Sequence, residues 1–283
     1  LNSNWVNCIL RLAVESVFWE EGLYMLFTKA IVRTPAKSVV NGIDDYADEG
    51  KPDYQLALKE HQDYIATLSD LGITTTILGP LEDYPDSCFV EDPAVVFDNF
   101  AVITNPARST RQKERDLIRP AIKQFYTDYQ IFEITSPGTL EGGDVMPVDN
   151  NVIYVGRSAR TNQAGIDQFT KIAAKFGKTV KAVPVQKVLH LKTGTTYLGN
   201  NKLLVAGEYI DSPYFKNFDQ LKVPAGEDYA VNCINTGNGV IMPAGFPRVK
   251  KLLEDNGFTT REVNMSEFSK IDGGLTCLSL RFN

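Results

Sequence analysis

Two hydrophobic periods alternate along the 283-residue chain. Stretches of period two, rich in β-branched and aromatic residues, come in pairs separated by Asn, Asp or Gly. Four pairs stand out: "AVVFDNFAVIT" (94–104, turning at Asp98-Asn99), "DVMPVDNNVIYVG" (144–156, turning around 149–151), "TTYLGNNKLLVAG" (195–207, turning at 199–201) and "AVNCINTGNGVIMPA" (230–244, turning around 237–239). Asn, Asp and Gly supply the positive φ that tight turns demand, so each pair predicts a β-hairpin. Helical periodicity occupies 52–72, 111–126, 162–177 and 247–257. In the first of these, Leu56, Tyr64, Leu68 and Leu71 share one approximate face before a stop at Gly72. Pro120 predicts a kink or break in the second. Short strands follow at 73–79, 129–135, 178–185 and 258–264.

Hairpin, helix and strand thus recur with a period in the forties, within the range that marks propellers and arrays. No stretch has the composition of a flexible linker, so residues 25–283 read as one α/β domain. Four hairpins are internal. A fifth forms only if the tail "TCLSLRF" (276–282) pairs with the first strand "LFTKAIV" (26–32). That pairing would close a ring of pseudo-fivefold repeats and remove exposed sheet edges.

Composition narrows the function. Net charge of −6 and a pI near 5.1 argue against nucleic acid as the main partner. No apolar run is long enough to span a membrane. Four cysteines (Cys8, Cys88, Cys233, Cys277) lack metal spacing and read as free thiols of a reducing cytoplasm. With only His61 and His190, a zinc site of several histidines is excluded. His61, on a helix of mixed polarity, reads as exposed. Residues 1–24 lack the basic start of a signal peptide. Trp19-Glu20-Glu21-Gly22 requires a purine-rich codon string, separated from Met25 only by Leu23 and Tyr24. That resembles a bacterial ribosome-binding site read as protein, which makes Met25 the expected natural start.

The reactive side chains fall in phase with the repeat. Asp92, Glu141 and His190 each precede a hairpin, and Cys277 lies at the equivalent point of the tail, at steps of 49, 49 and 87 residues. Equivalent positions in a ring face a common axis, so two acids, a histidine and a thiol should converge there. A lone cysteine in an apolar strand is ordinarily a small buried residue; the shared phase is what gives Cys277 weight. Cys88 is out of phase, and Cys233 lies near the equivalent point of the fourth hairpin. A thiolate nucleophile with His190 as acid and base is a working pair. Carboxylates oppose thiol ionisation unless a cation binds among them. A planar guanidinium is such a cation, and Asp86, Glu91, Asp92 and Glu141 would cage it. Residues 34–50, with Gly42 and Gly50, would serve as a lid.

At these residues the chain resembles the dimethylarginine dimethylaminohydrolases of the guanidino-group-modifying (pentein) superfamily. The resemblance runs through "IVRTPAKSVVNGI", "YPDSCFVEDP", "GTLEGGDVM", "VGRSARTN", "KVLHLKTG", "IMPAGFPR" and "KIDGGLTCLSLRF". It implies a five-bladed α/β propeller that hydrolyses Nω,Nω-dimethylarginine or Nω-monomethylarginine to citrulline and the methylated amine. It also implies Cys277 as nucleophile, His190 as general acid and base, and Glu141 beside them. Asp86, Glu91, Asp92 and Glu141 correspond to the guanidinium pocket. Arg111 and Arg160 correspond to the groups holding the α-carboxylate, and Ile43 and Ile271 to contacts with the amino-acid part. No metal or organic cofactor is implied, and the chain is compatible with a homodimer. An arginine deiminase on the same scaffold, or a binding propeller without catalysis, are the alternatives.

Overall fold

Each of the five sheets in the computed structural model, which describes residues 26–148 and 151–283, has three strands in the same order. The expectation for residues 1–24 lies outside the described residues. The first blade holds β1 (Lys29–Arg33) and β2 (Thr74–Leu78). The second holds β3 (Ala94–Phe97), β4 (Phe100–Ile103) and β5 (Ile131–Glu133). The third holds β6 (Val145–Pro147), β7 (Val152–Arg157) and β8 (Thr179–Pro184). The fourth holds β9 (Thr195–Gly199), β10 (Lys202–Val205) and β11 (Asp219–Lys222). The fifth holds β12 (Ile234–Asn235), β13 (Val240–Pro243) and β14 (Thr260–Val263). In the second to fifth blades an antiparallel hairpin supplies the inner and middle strands, and in all five a crossover returns a parallel outer strand.

The first blade lacks a hairpin of its own. Its inner strand is β15 (Ser279–Phe282), which pairs antiparallel with β1 in the register Lys29↔Phe282 to Val32↔Ser279. The tail therefore closes the ring, as the repeat predicts. Tyr64 reinforces the closure through a 2.7 Å hydrogen bond to Ser279 Oγ.

Middle strands explain why their sequences are almost continuously apolar. Alternate side chains enter the junctions on either side of the blade. Ala30 and Val32 face the fifth blade, while Ile31 faces the second. Phe100 and Val102 pack toward the third blade, Ala101 and Ile103 toward the first. Tyr154 separates in the same way from Ile153 and Val155, Leu204 from Leu203 and Val205, and Ile241 from Val240 and Met242. Five hydrophobic clusters thus occupy five blade junctions. A strand buried on both faces has no polar side to show.

Four crossovers are helical: α1 (Tyr54–Asp70), α2 (Glu114–Ile122), α3 (Gln163–Ala174) and, after a one-turn α4 (Leu191–Gly194) at the start of the fourth blade, α5 (Pro247–Asp255). α2 begins three residues later than the periodicity suggests, and Pro120 sits in its last turn without splitting it. The fourth crossover has 3-10 turns at Gly207–Tyr209 and Pro213–Phe215 instead of a long helix, and its outer strand β11 has no clear signal in the sequence. Its packing comes from aromatic rings: Phe215 contacts Tyr209, Phe218 and Tyr154, and Phe218 contacts Tyr154 as well.

α1 also corrects two expectations. Leu56 is 42% exposed, and the buried face runs through Ala57, Glu60, His61, Tyr64 and Leu68. Glu60 faces inward because its carboxylate accepts from Ser266 N and Glu267 N, capping the one-turn helix Ser266–Ser269. His61 is buried at 2% exposure, and desolvation lowers its pKa to about 4. Polar residues on a helix read as solvent-facing unless a partner from a distant segment is known. Among the described residues no helix is long and apolar enough to cross a membrane.

Removing β15 would expose the β1 edge and strip Leu280 and Phe282 from their junction, a loss of at least ~5 kcal/mol, worth ~15 °C in a chain of this size. Deleting residues 276–283 should therefore lower or abolish the cooperative thermal transition followed by circular dichroism, whereas Cys277→Ser should retain it. A truncated chain that melts like the full-length one would contradict the closure.

Candidate active site

The segments just before the inner strands meet at the ring axis. Asp92 precedes β3, Glu141 precedes β6, His190 caps α4 ahead of β9, and Cys277 lies on the 3-10 turn Leu275–Leu278 ahead of β15. Close approach of these segments dictates their small residues. A Cβ on Gly143 would lie 2.5 Å from His190 Nδ1, and one on Gly274 would lie 2.6 Å from the Asn232 side chain. The glycine pairs are thus explained by packing at the axis.

A small cavity of about 20 Å³ is lined by Ile43, Asp86, Asp92, Arg111, Arg160, His190, Ile271 and Cys277, together with Phe89, Leu189, Asp272 and Gly273. Eight of the ten residues singled out from the sequence therefore share one cavity. Glu141 stands behind it: fully buried, it bonds His190 Nε2 through Oε2 at 2.9 Å and accepts from Ala107 N. Arg160 Nη1 approaches the same Oε2 at 3.6 Å.

Glu91 is placed differently from the expected cage. Its Oε1 accepts from Lys192 Nζ at 2.5 Å and from Arg281 Nη2 at 2.6 Å, and it lines a second, larger cavity of about 550 Å³. Thr276 borders that cavity while Cys277 borders the small one. A side chain two residues before a strand can point either way, and adjacent acids in "VEDP" point apart. What Glu91 gives the site is backbone: its N–H donates to the Cys277 carbonyl at 3.2 Å.

Arg111 lines the cavity but is heavily committed. It donates to Asp92 Oδ2 at 2.5 Å, to Glu114 and to the carbonyls of Asp86 and Phe89. Asp92 Oδ1, by contrast, is buried and has no hydrogen-bond partner. An unpaired buried carboxylate oxygen is costly unless something with donors fills the space beside it.

Electrostatics set the resting protonation. Burial is the largest influence on Cys277 and pushes its thiol up to about 12, with Asp92 and Glu91 adding to it and Lys192 opposing. Burial alone would favour neutral His190, but Asp144, Glu141 and Asp92 outweigh it and hold the imidazole up to about 9. Near neutral pH the cavity therefore holds a neutral thiol and an imidazolium. Burial raises Asp86, while Arg111 and His190 overcome burial and lower Asp92. One ligand atom each from Asp92, Glu141 and His190 lies within 4.8 Å of the others. A cation there would have to displace the His190–Glu141 hydrogen bond.

Several supporting residues escaped sequence reasoning. Asp144 is buried, accepts from Leu191 N, Ser158 Oγ and Thr161 Oγ1, and is the strongest anionic influence on His190. Its place in "EGGDV" at a strand start gave no chemical signal. Asn232 occupies the fifth blade's axial position; its Oδ1 accepts from Thr276 N at 2.9 Å. Cys233 beside it is buried and its thiol is pushed up to about 12, and Cys88 is buried too. Cys88, Cys233 and Cys277 are all free.

Asp92→Asn removes one of the charges that raise the thiol and leaves Arg111 to act in the same direction. The pH midpoint for alkylation of Cys277 by iodoacetamide, with Cys277→Ser as blank, should fall measurably below that of the unmodified chain. An unchanged or higher midpoint would contradict this electrostatic account.

Comparison with known proteins agrees with this geometry. Residues 37–223 match the family model described as N,N dimethylarginine dimethylhydrolase, eukaryotic. The chain is 44% identical over 257 residues to the N(G),N(G)-dimethylarginine dimethylaminohydrolase of Pseudomonas aeruginosa, covering 91% of this chain and all of that one. It is 36% identical to the Streptomyces coelicolor protein of the same name, covering 89% and 96%. Among solved structures, a serine-for-cysteine variant of the Pseudomonas aeruginosa enzyme in complex with citrulline superposes with a TM-score of 0.88 at 43% identity, over 92% of this chain and all of the other. The N-terminal domain of the cyanobacterial arginine dihydrolase ArgZ, at 20% identity and a TM-score of 0.78 over 89% and 96%, shares the fold.

Proposed function

The chain belongs to the dimethylarginine dimethylaminohydrolase family, and we propose that it hydrolyses Nω,Nω-dimethylarginine or Nω-monomethylarginine to citrulline and the methylated amine by way of a covalent intermediate on Cys277. The observation that carries the residue assignment is the unpaired Asp92 Oδ1 in the same cavity as Cys277 and His190. A guanidinium offers the N–H donors and the positive charge that this oxygen lacks.

The charge balance supports a reaction in which the substrate activates its own nucleophile. A neutral thiol raised to about 12 is a poor nucleophile. A guanidinium seated between Asp92, Asp86 and Cys277 offsets the acids that hold the thiol protonated, so the thiol gives its proton to solvent water as the substrate enters. The thiolate attacks the guanidinium carbon. His190, already an imidazolium through Asp144, Glu141 and Asp92, gives its proton to the departing amine. Neutral His190 then takes one proton from the water that attacks the thiouronium carbon, and the departing sulfur takes up the remaining hydroxyl proton, which leaves the ureido group of citrulline and restores the neutral thiol. Glu141 holds His190 throughout and stabilises its charged form.

Arg160, with its Nη1 beside Glu141 and its Nη2 toward the loop over the cavity, is the group for the substrate's α-carboxylate. Arg111, committed to Asp92 and Glu114, orients the cage. Ile43 and Ile271 cover the aliphatic stem. Cys88, Cys233 and Cys277, free thiols among the described residues, suit work in a reducing cytoplasm.

Citrulline release from dimethylarginine, monomethylarginine and arginine, measured side by side, tests this reading. Both methylated substrates should be turned over in preference to arginine, and Cys277→Ser should lose at least ~10³-fold in rate. Near-normal turnover by Cys277→Ser, or a preference for arginine, would contradict it.

A further inference from the structure

Arg160 is occupied. Its Nη2 donates to Asp45 Oδ2 at 2.9 Å. Asp45 belongs to residues 34–50, whose Ile43 lines the cavity of about 20 Å³, room for about one water molecule. The same carboxylate oxygen also pairs with Arg108, which lies further out and is half-exposed. The neighbouring loop residues are fixed by other groups: Ile43 N donates to Asp86 Oδ1, and Tyr46 N and Ala47 N donate to Asp272.

We propose that Asp45 is a specificity-determining residue, an internal carboxylate that competes with the ligand's α-carboxylate for Arg160. The inference rests on the reading above, in which Arg160 receives that α-carboxylate. Asp45 presents to Arg160 the same functional group, in the same charge state, as the ligand would. Two carboxylates converging on one guanidinium repel each other, so a bound α-carboxylate weakens the hold of Asp45 on Arg160. Arg108 makes the exchange feasible. Asp45 can give up Arg160 and remain paired, and an exposed partner exacts no burial of charge.

Two consequences follow. An α-amino acid binds only by displacing Asp45, so its apparent affinity is lowered by the fraction of molecules in which Arg160 is already taken. A guanidine or urea without a carboxylate has no means of displacing Asp45 and does not compete with it. Asp45 therefore acts only on carboxylate-bearing ligands, through Arg160, and not through the guanidinium cage.

Calorimetric titration of the unmodified chain and of Asp45→Asn with citrulline, and with the same ureido chain lacking its carboxylate, tests the proposal. The preference for citrulline over its carboxylate-free counterpart should rise about fivefold or more in Asp45→Asn, because the competitor is gone. A preference that is unchanged, as when both ligands tighten equally, would reduce Asp45 to a weight on the loop and overturn the inference. A preference that falls would make Asp45 a ligand-binding group and overturn it as well. Binding of neither ligand by the unmodified chain would instead overturn the reading of the cavity, and the inference with it. The two failures are thus told apart by which protein shows them.

Discussion

Antiparallel pairing of β15 with β1 is the interaction on which the rest of the molecule depends. It joins residues 247 to 253 apart in the chain and converts a row of repeats into a ring. Without it the first blade has no inner strand, the junction holding Leu280 and Phe282 has one wall, and the turn carrying Cys277 has nothing to rest on. The five hydrophobic clusters are equivalent only because the ring is closed. Each middle strand then has two neighbours, and burial on both faces rewards apolar residues at every position. Stability and chemistry are therefore coupled through one short segment.

What the ring encloses is an arrangement that favours a cation. Acids from the second and third blades surround a thiol from the first and an imidazole before the fourth. Burial, Asp92 and Glu91 keep the thiol neutral, and Asp144, Glu141 and Asp92 keep His190 protonated. The imidazolium can donate a proton, but the neutral thiol is a poor nucleophile. A carboxylate oxygen of Asp92 is left without a donor for it. On the proposed mechanism, selectivity for a guanidinium and activation of the nucleophile are one electrostatic event, so ligands without that charge meet a protonated thiol. The outer part of the site works on the opposite charge. Arg160, proposed as the group for the substrate's α-carboxylate, is paired with the Asp45 carboxylate.

Much of this was legible in the sequence, for physical reasons that differ by element. Hairpins announce themselves because Asn, Asp and Gly at positions such as 98–99 and 199–201 have a backbone role few residues share. The axial residues were found from repeat phase, since Asp92, Glu141, His190 and Cys277 all precede an inner strand. Other features leave no such trace. The fourth crossover is held by aromatic contacts among Tyr209, Phe215 and Phe218 rather than by helical periodicity. His61 and Glu60 are polar yet buried, because α1 packs them against the segment around Ser266, more than 200 residues away. Glu91 and Asp92 are neighbours in sequence but serve different cavities, a matter of side-chain direction that sequence does not encode. Asp144 acts on His190 only through the fold.

If closure is what matters, the position of the chain ends is not. Asn283 and Leu26 are already in contact, with Asn283 Nδ2 donating to the Leu26 carbonyl at 3.3 Å. A circular permutant that joins residue 283 to residue 26 through a short linker, and opens the chain at the exposed turn between Asn200 and Asn201, tests this most directly. Its thermal midpoint and its citrulline production from methylated arginine should both stay close to those of the parent, since the β15–β1 pairing is preserved covalently. A permutant that fails to fold, or that folds but has lost activity, would contradict the claim that this pairing closes the fold and assembles the site.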